Sequence, residues 1–167
     1  MTKEEVLERL VGAYTAYFNI RRDTELNGLP VAMDAEYHVR NEQYVLSREA
    51  KLWEAENDEY AFVVVLEELD PENLRAYYDA VLKECMSRVD PRANHMRTDI
   101  TMLVLADRIQ PEAAAALKKL KYSKSFLFTL RGWAQFRAAA LEVSTGQTYA
   151  NGLGKAVLKD LGRHLSV

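Results

Sequence analysis

Apolar side chains recur every three to four positions along the first twenty residues, which is the period of an amphipathic helix. Thr2 and Glu5 have the spacing of a capping box, with a hydroxyl at the N-cap and a carboxylate three residues later. The pattern predicts a first helix over residues 3–20. Asn27-Gly28 then predicts a turn.

From residue 31 the period changes to two, as in a strand with one buried and one solvent-facing side. The side predicted to be buried carries Val31, Met33, Ala35, Tyr37 and Val39. A turn at Asn41-Glu42 would lead into a return strand that ends before Asn57-Asp58. Residues 60–66 are apolar on both sides, so they predict a central strand that is covered above and below.

The remaining elements follow from caps, turns and apolar runs. Asp70-Pro71-Glu72 predicts the start of a second helix, because proline and acidic residues favour the first turn. Further predicted elements are a strand over residues 98–107, a short helix from Gln110-Pro111-Glu112, a strand through Phe126, Phe128 and Leu130, a turn at Gly132, a strand from Trp133, a short QTYA strand and a last amphipathic helix through Leu153, Val157, Leu161 and Leu165.

The predicted order of elements is α-β-β-β-α-β-α-β-β-α. This order favours an α+β fold in which residues 1–167 form a single domain. A mixed, largely antiparallel sheet of about six strands would carry helices packed on it. Residues 60–66 and 98–107 would be parallel neighbours if the second helix forms the crossover between them.

Composition narrows the classes of function. The chain of 167 residues carries a net charge of −3 and one cysteine. An internal disulfide framework and a multi-cysteine zinc site are therefore excluded, and Cys85 is predicted to be a small buried side chain. A net negative charge makes nucleic acid an unfavourable partner. Neither a signal peptide nor an apolar run of membrane-spanning length is found, so a cytoplasmic location without membrane contact is expected.

The predicted hairpin raises one chemical possibility. Its solvent-facing side would bring Asp34 and Glu36 near Glu49 and Lys51, with Asp34 directly opposite Glu49. Two carboxylates, Asp34 and Glu49, would suit Mg²⁺ or Mn²⁺, and Lys51 would steady a phosphate or the attacking water. The order of elements resembles part of the PD-(D/E)xK nuclease core, although the acid and the ExK stand one strand early here.

An exposed hairpin face, with Lys51 neutralising two acids, explains the same residues without any catalysis. We therefore commit to no catalytic residue and to no metal or cofactor. The metal-dependent phosphodiesterase that uses Asp34, Glu49 and Lys51 is kept as the alternative.

Five other residues are candidates for binding or for an interface between subunits: His38, Trp53, Arg131, Trp133 and Arg137. His38 lies beside acids, and histidine is the side-chain type most often used as a switch near physiological pH. Interleaved arginine and tryptophan side chains suit a ligand pocket or an oligomer interface. Trp53 and Val45 leave apolar positions on an otherwise polar face, which favours cover by another chain.

Three stretches, EYHVRNEQYVLSREAKLWEAENDEY, HMRTDITMLVLADRI and FTLRGWAQFRAAALEVSTGQTY, resemble an uncharacterised bacterial family of small single-domain proteins. The resemblance implies a bacterial, cytoplasmic, stand-alone domain and brings no activity or catalytic residue. The functional prediction is a non-catalytic binding or assembly protein that forms a homo-oligomer, with a homodimer as the simplest form.

Overall fold

The computed structural model describes residues 1–38, 56–88, 95–125 and 133–166, with the backbone alone at residues 56, 57, 95, 96, 123–125 and 133. Its elements in chain order are α1 (Lys3–Thr15), β1 (Asn19–Leu26), β2 (Leu29–His38), β3 (Glu56–Leu69), α2 (Pro71–Arg88), β4 (His95–Ile109), α3 (Pro111–Lys118), β5 (Ser123–Ser125), β6 (Trp133–Glu142), β7 (Gln147–Ala150) and α4 (Lys155–Leu165).

Seven strands of the described ranges form one sheet in the order β1-β2-β3-β4-β6-β5, with β7 also paired to β6. β3, β4 and β6 run parallel to one another, and the other pairs are antiparallel. The predicted α+β class, with its mixed and largely antiparallel sheet, is confirmed. The predicted parallel pairing of the strands before and after the second helix is also confirmed.

Helices cover both faces of this sheet. α2 and α3 pack on one face through residues such as Leu74, Val81 and Leu117, and α1 and α4 pack on the other through Leu10 and Leu161. β3 contributes to both cores, because Phe62 and Val64 face α2 while Ala61 and Val63 face α1 and α4. The predicted enclosure of this strand on two sides is therefore confirmed.

The first helix is shorter than predicted. α1 ends at Thr15, and residues 19–26 form β1, an edge strand that the sequence pattern did not indicate. β1 has polar and exposed side chains on both sides, so it has neither the alternation nor the apolar run by which strands are recognised. The N-terminal capping box of Thr2 and Glu5 is confirmed.

The turn at Asn27-Gly28 is confirmed and joins β1 to β2. Asn27 has a φ of 51° and Gly28 a φ of 81°, the left-handed conformation that two-residue hairpin turns require. β2 is therefore flanked by β1 on one side and β3 on the other. The turn predicted at Asn41-Glu42, its return strand and the strand predicted through Phe126, Phe128 and Leu130 lie outside the described residues.

The beginning of α4 is fixed by one buried amide side chain. Asn151 Oδ1 accepts hydrogen bonds from the backbone N–H of Ala138 at 3.1 Å and of Gly154 at 2.7 Å. Asn151 Nδ2 donates to the carbonyl oxygens of Leu120 at 2.9 Å and Phe136 at 3.1 Å. A Cβ at Gly154 would collide with the Ala138 carbonyl, so glycine is required for this close approach.

Cys85 is fully buried, as predicted, and burial raises the pKa of its thiol. Among the helices of the described residues, none combines the length and the apolar character that crossing a membrane would take.

Candidate functional site

Two groups of charged side chains lie at the same end of the sheet, on its opposite faces. This end contains the last residues of β2 and the first residues of the parallel strands β3, β4 and β6, as the register of Tyr37 with Glu59, Asp99 and Gln135 shows. Alternation along the strands separates the two groups, because neighbouring residues of a strand point to opposite faces.

The first group lies under the end of α2, and we call it the Arg88 network: Arg21, Asp34, Glu36, His38, Asp58, Glu84 and Arg88. The Arg88 guanidinium makes two hydrogen bonds to Asp34, at 3.2 Å to Oδ1 and 3.0 Å to Oδ2. It also bonds Glu36 Oε1 at 2.5 Å and Glu84 Oε1 at 3.0 Å. The same guanidinium lies over the rings of Tyr60 and Phe62.

Asp34 is not on a solvent-facing side. Its side chain is 3 % exposed, and Arg21 adds a further hydrogen bond to Oδ2 at 3.2 Å. The residues that flank Asp34 in the sheet are Arg21 on β1 and Phe62 on β3, whereas Glu49, which the sequence analysis pairs with Asp34, lies outside the described residues. The alternation of β2 predicts a half-exposed strand, because the sequence does not reveal that the end of α2 covers it.

His38 extends the Arg88 network at the surface. Its Nδ1 lies 2.7 Å from Asp58 Oδ1 and its Nε2 lies 3.5 Å from Glu36 Oε2. Asp58 therefore holds the ring through a hydrogen bond, and Glu36 lies within ion-pair distance of the other ring nitrogen. Within residues 1–38, 56–88, 95–125 and 133–166, no group of three or more His, Cys, Asp or Glu side chains is arranged to hold a metal ion.

The second group surrounds a cavity of about 210 Å³ between α1, α4 and the opposite face of the sheet. Its apolar lining includes Leu10, Leu103, Val157 and Leu161, all of which are buried. The other lining residues are Ala13, Tyr14, Tyr17, Phe18, Glu59, Arg137, Asp160 and His164.

Aromatic rings form one wall of the cavity. Tyr14 and Phe18 meet edge to face, with their ring centroids 4.6 Å apart, and Phe18 lies 5.3 Å from Tyr37. Such pairs hold rings in a defined orientation. Tyr17 stands at the rim and is 77 % exposed, so a large aromatic surface is available at the mouth of the cavity.

Charged groups of both signs meet at the base of the cavity. Arg137 Nη2 lies 2.8 Å from Asp99 Oδ2, a short charge-assisted contact. Its Nη1 is 3.9 Å from Glu59 Oε1, which is too far for a hydrogen bond. Arg97 Nε and Gln135 Nε2 also approach Asp99, at 3.0 Å and 2.6 Å. Arg137 is therefore held mainly by Asp99, and Glu59 receives the weaker share of its charge.

The environment of the cavity disfavours negative charge on Glu59 and on Tyr14. Burial raises the pKa of the Glu59 carboxyl above its ordinary value of 4.5; Asp99 and Asp160 add to this rise, and Arg137 opposes it. Burial likewise raises the pKa of the Tyr14 hydroxyl, with Glu59 and Asp160 contributing. Perturbed groups around a concave site are a feature of functional sites.

A buried hydroxyl lies beside the charged base. Thr101 is 2 % exposed and lies on the same face of β4 as Asp99 and Leu103, in register with Arg137. Its Oγ1 has no hydrogen-bond partner in the described part of the chain. Buried hydroxyls are normally satisfied, so this atom is an exception within the described residues, although Thr101 does not line the cavity.

The structure assigns different surroundings to the residues that the sequence singled out. Asp34 and His38 belong to the Arg88 network, and Arg137 belongs to the cavity. Trp133 begins β6, where the backbone alone is described. Glu49, Lys51, Trp53 and Arg131 lie outside the described residues.

Sequence reasoning missed Glu59, Asp99, Tyr14 and Asp160. A signal for the first two was present. Glu59 has the same parity as Ala61 and Val63, and Asp99 has the same parity as Leu103, so both acids stand where alternation places buried side chains. A carboxylate at such a position requires a partner or a site. Tyr14 and Asp160 meet through packing of α1 near α4, which local patterns do not reveal.

Comparison with known proteins gives one match. No curated protein and no solved structure matches the chain. The model of one protein family, described as "Domain of unknown function (DUF8052)", matches residues 2–162. Since the matched range covers nearly the whole chain, the protein belongs to the family of the domain of unknown function DUF8052.

Proposed function

We propose that this protein is a non-catalytic binding protein for a small molecule, and that the cavity between α1, α4 and the sheet is its binding site. One observation carries the proposal: an apolar cavity of about 210 Å³ has Glu59 and Arg137 at its base, with Nη1 and Oε1 separated by 3.9 Å. Ligand sites commonly combine an apolar lining with a few convergent polar groups.

The contrast with the Arg88 network supports the choice of this site. In that network both oxygens of Asp34 already accept hydrogen bonds from arginine side chains. At the cavity, Glu59 is beyond hydrogen-bonding distance of Arg137. A polar group whose bonding is incomplete gains more from a ligand than one that is already satisfied.

The size of the cavity limits the ligand. Pockets for drug-sized molecules occupy about 300–1,000 Å³. A cavity of about 210 Å³ suits a compact molecule with a short apolar part. The aromatic rim at Tyr17 would cover the part of the ligand that reaches the mouth.

The test is a protein-observed NMR titration with a set of small neutral, cationic and anionic compounds. We expect at least one class to shift the amides of α1, α4 and the start of β6 while leaving α2 and α3 unchanged. Ala13→Trp, which places an indole in the cavity, should abolish these shifts. Ala115→Trp, on the exposed side of α3, should leave them intact.

The proposal is wrong if no compound shifts the amides around the cavity, or if Ala13→Trp keeps wild-type binding in a folded protein. Circular dichroism of each variant establishes that it is folded. Ala13→Phe serves as the smaller blocking variant if tryptophan prevents folding. The predicted homo-oligomer and cytoplasmic location are independent of this cavity and stay predictions; light scattering measures the first.

A further inference from the structure

We propose that the ligand of the cavity is a small organic cation, a primary or substituted amine attached to a short apolar group. This inference rests on the proposed binding function and adds the chemical class of the ligand. Three independent features of the cavity support it: its balance of charge, its aromatic wall and the separation of its apolar lining from its charged base.

The charge balance is the first feature. The lining residues include two carboxylates, Glu59 and Asp160, and one guanidinium, Arg137. Asp99 lies 2.8 Å from Arg137 and 3.0 Å from Arg97, and Asp160 is paired with Arg163 at 3.4 Å. Glu59 is therefore the lining carboxylate whose charge is compensated least, and it favours a cation over an anion.

Glu59 supplies the contact at the base. Its nearest positive group among the described residues is Arg137 Nη1 at 3.9 Å, beyond hydrogen-bonding distance. A ligand ammonium would donate a charge-assisted hydrogen bond to the Glu59 carboxylate, and Asp160 would add attraction from the rim. The burial that disfavours charge on Glu59 when the cavity is empty would then be offset by the ligand.

The aromatic wall is the second feature. The rings of Tyr14, Phe18 and Tyr17 border the same space as the two carboxylates. Aromatic faces attract ammonium groups, and this attraction increases when the cation is partly removed from water. An anion would lose this interaction and would also face the carboxylates of Glu59 and Asp160.

The apolar lining is the third feature. Leu10, Leu103 and Leu161 are almost completely buried, and they form a surface that offers no polar partner. A ligand that places its amine near Glu59 would rest its hydrocarbon part on these side chains. The combination distinguishes an amine with an apolar substituent from a bare inorganic cation.

The experiment compares three probes with one carbon skeleton: isopentylamine, isopentanol and isovalerate. Calorimetry and NMR titration at neutral pH measure their affinities. We expect the amine to bind about tenfold more tightly than the alcohol, and the carboxylate to bind most weakly. Glu59→Gln should remove the advantage of the amine and leave the affinity for the alcohol within about twofold.

Glu67→Gln on the exposed part of the same strand is the matched control, and it should bind all three probes as the wild type does.

A second measurement detects the protons that are released or taken up on binding. Calorimetry in two buffers of different ionisation enthalpy should show proton release when the amine binds at a pH where Glu59 is partly protonated, and Glu59→Gln should abolish that release.

The outcomes separate the two proposals. If the alcohol or isovalerate binds more tightly than the amine, the inference about charge is wrong and the binding cavity stands. If the amine advantage survives Glu59→Gln, the assignment of Glu59 is wrong. If none of the three probes shifts the cavity amides at millimolar concentration, the inference fails, and the titration with the wider set of compounds decides the binding function itself.

Discussion

The Arg88 network and the cavity occupy the same end of one sheet, yet their carboxylates differ in how fully they are paired with arginine. Under α2, Asp34 is almost fully buried and both of its oxygens bond to arginine. Across the sheet, Glu59 is partly buried and lies 3.9 Å from the guanidinium of Arg137. The first region contains enough donors for its carboxylates, and the second leaves a space of about 210 Å³ beside its own.

The difference indicates that the two faces of the sheet have different roles, one structural and one in binding. A buried carboxylate that is bonded to an arginine of the same chain stabilises the packing of a helix end on the sheet. Removing the arginine would leave the carboxylate charge buried and uncompensated. A partly bonded carboxylate beside a cavity holds less of the fold together and is available to a ligand. The following predictions test that division, from the largest expected effect to the smallest.

The largest effect is expected from Arg88→Met. This change leaves the buried Asp34 without its bidentate partner and should lower the free energy of unfolding by about 3 kcal/mol. Urea denaturation measures the loss. Lys83→Met, at an exposed position of the same helix, should change stability by less than about 0.5 kcal/mol. Probe binding at the cavity should persist in Arg88→Met below its unfolding transition.

A second substitution sharpens this result. Asp34→Asn combined with Arg88→Met should be more stable than Arg88→Met alone, because the unpaired buried charge is gone. Equal stability of the single and double variants would contradict the structural role assigned to the pair.

A smaller effect of opposite sign is expected from Glu59→Gln. Because burial raises the pKa of Glu59, the folded chain holds this proton more tightly than the unfolded chain. The resulting stabilisation is present below the ordinary pKa of 4.5 and is lost as the pH rises through the folded-state value. Glutamine cannot ionise, so at neutral pH the variant should be more stable than the wild type by on the order of 1 kcal/mol.

Urea denaturation across a pH series tests this prediction. The difference between Glu59→Gln and the wild type should shrink as the pH falls below 4.5. Glu67→Gln, an exposed glutamate of β3, should show no such dependence. A destabilised Glu59→Gln at neutral pH would place Glu59 with the structural carboxylates, and the contrast between the faces would be lost.

The smallest change in stability is expected from Tyr17→Ala at the rim of the cavity. The side chain is 77 % exposed, so unfolding free energy should change by less than about 0.5 kcal/mol. Affinity for isopentylamine should nevertheless fall, because the aromatic cover at the mouth of the cavity is removed. Ala156→Ser, exposed on α4, is a control for both measurements. Unchanged amine affinity would remove Tyr17 from the site.

The sequence predicted those elements whose identity depends on local signals. The caps at Thr2 and Asp70 and the doubly apolar β3 and β4 are of this kind; Asp70, for example, exchanges hydrogen bonds with Asn73 at the start of α2. β1 was missed because an exposed edge strand has no buried pattern to detect. Its stability comes from pairing with β2, which is a long-range property.

The candidate site was predicted only in part, for a similar reason. Arg137 was recognised as a binding candidate, and Glu59 was not, although its parity places it inside. The proposed carboxylate pair centred on Asp34 assumed that β2 faces solvent. The guanidinium that covers it comes from Arg88, 54 residues further along the chain, and no local pattern indicates that approach.

The four hydrogen bonds of Asn151 anchor the start of α4 to the neighbouring backbone. If a ligand is larger than the empty cavity, α4 would tilt about this anchored end. The displacement would be largest near His164, at the opposite end of the helix. Amide hydrogen exchange would then be slow at Gly154 and would quicken towards the end of α4, and an occupied cavity would flatten that gradient.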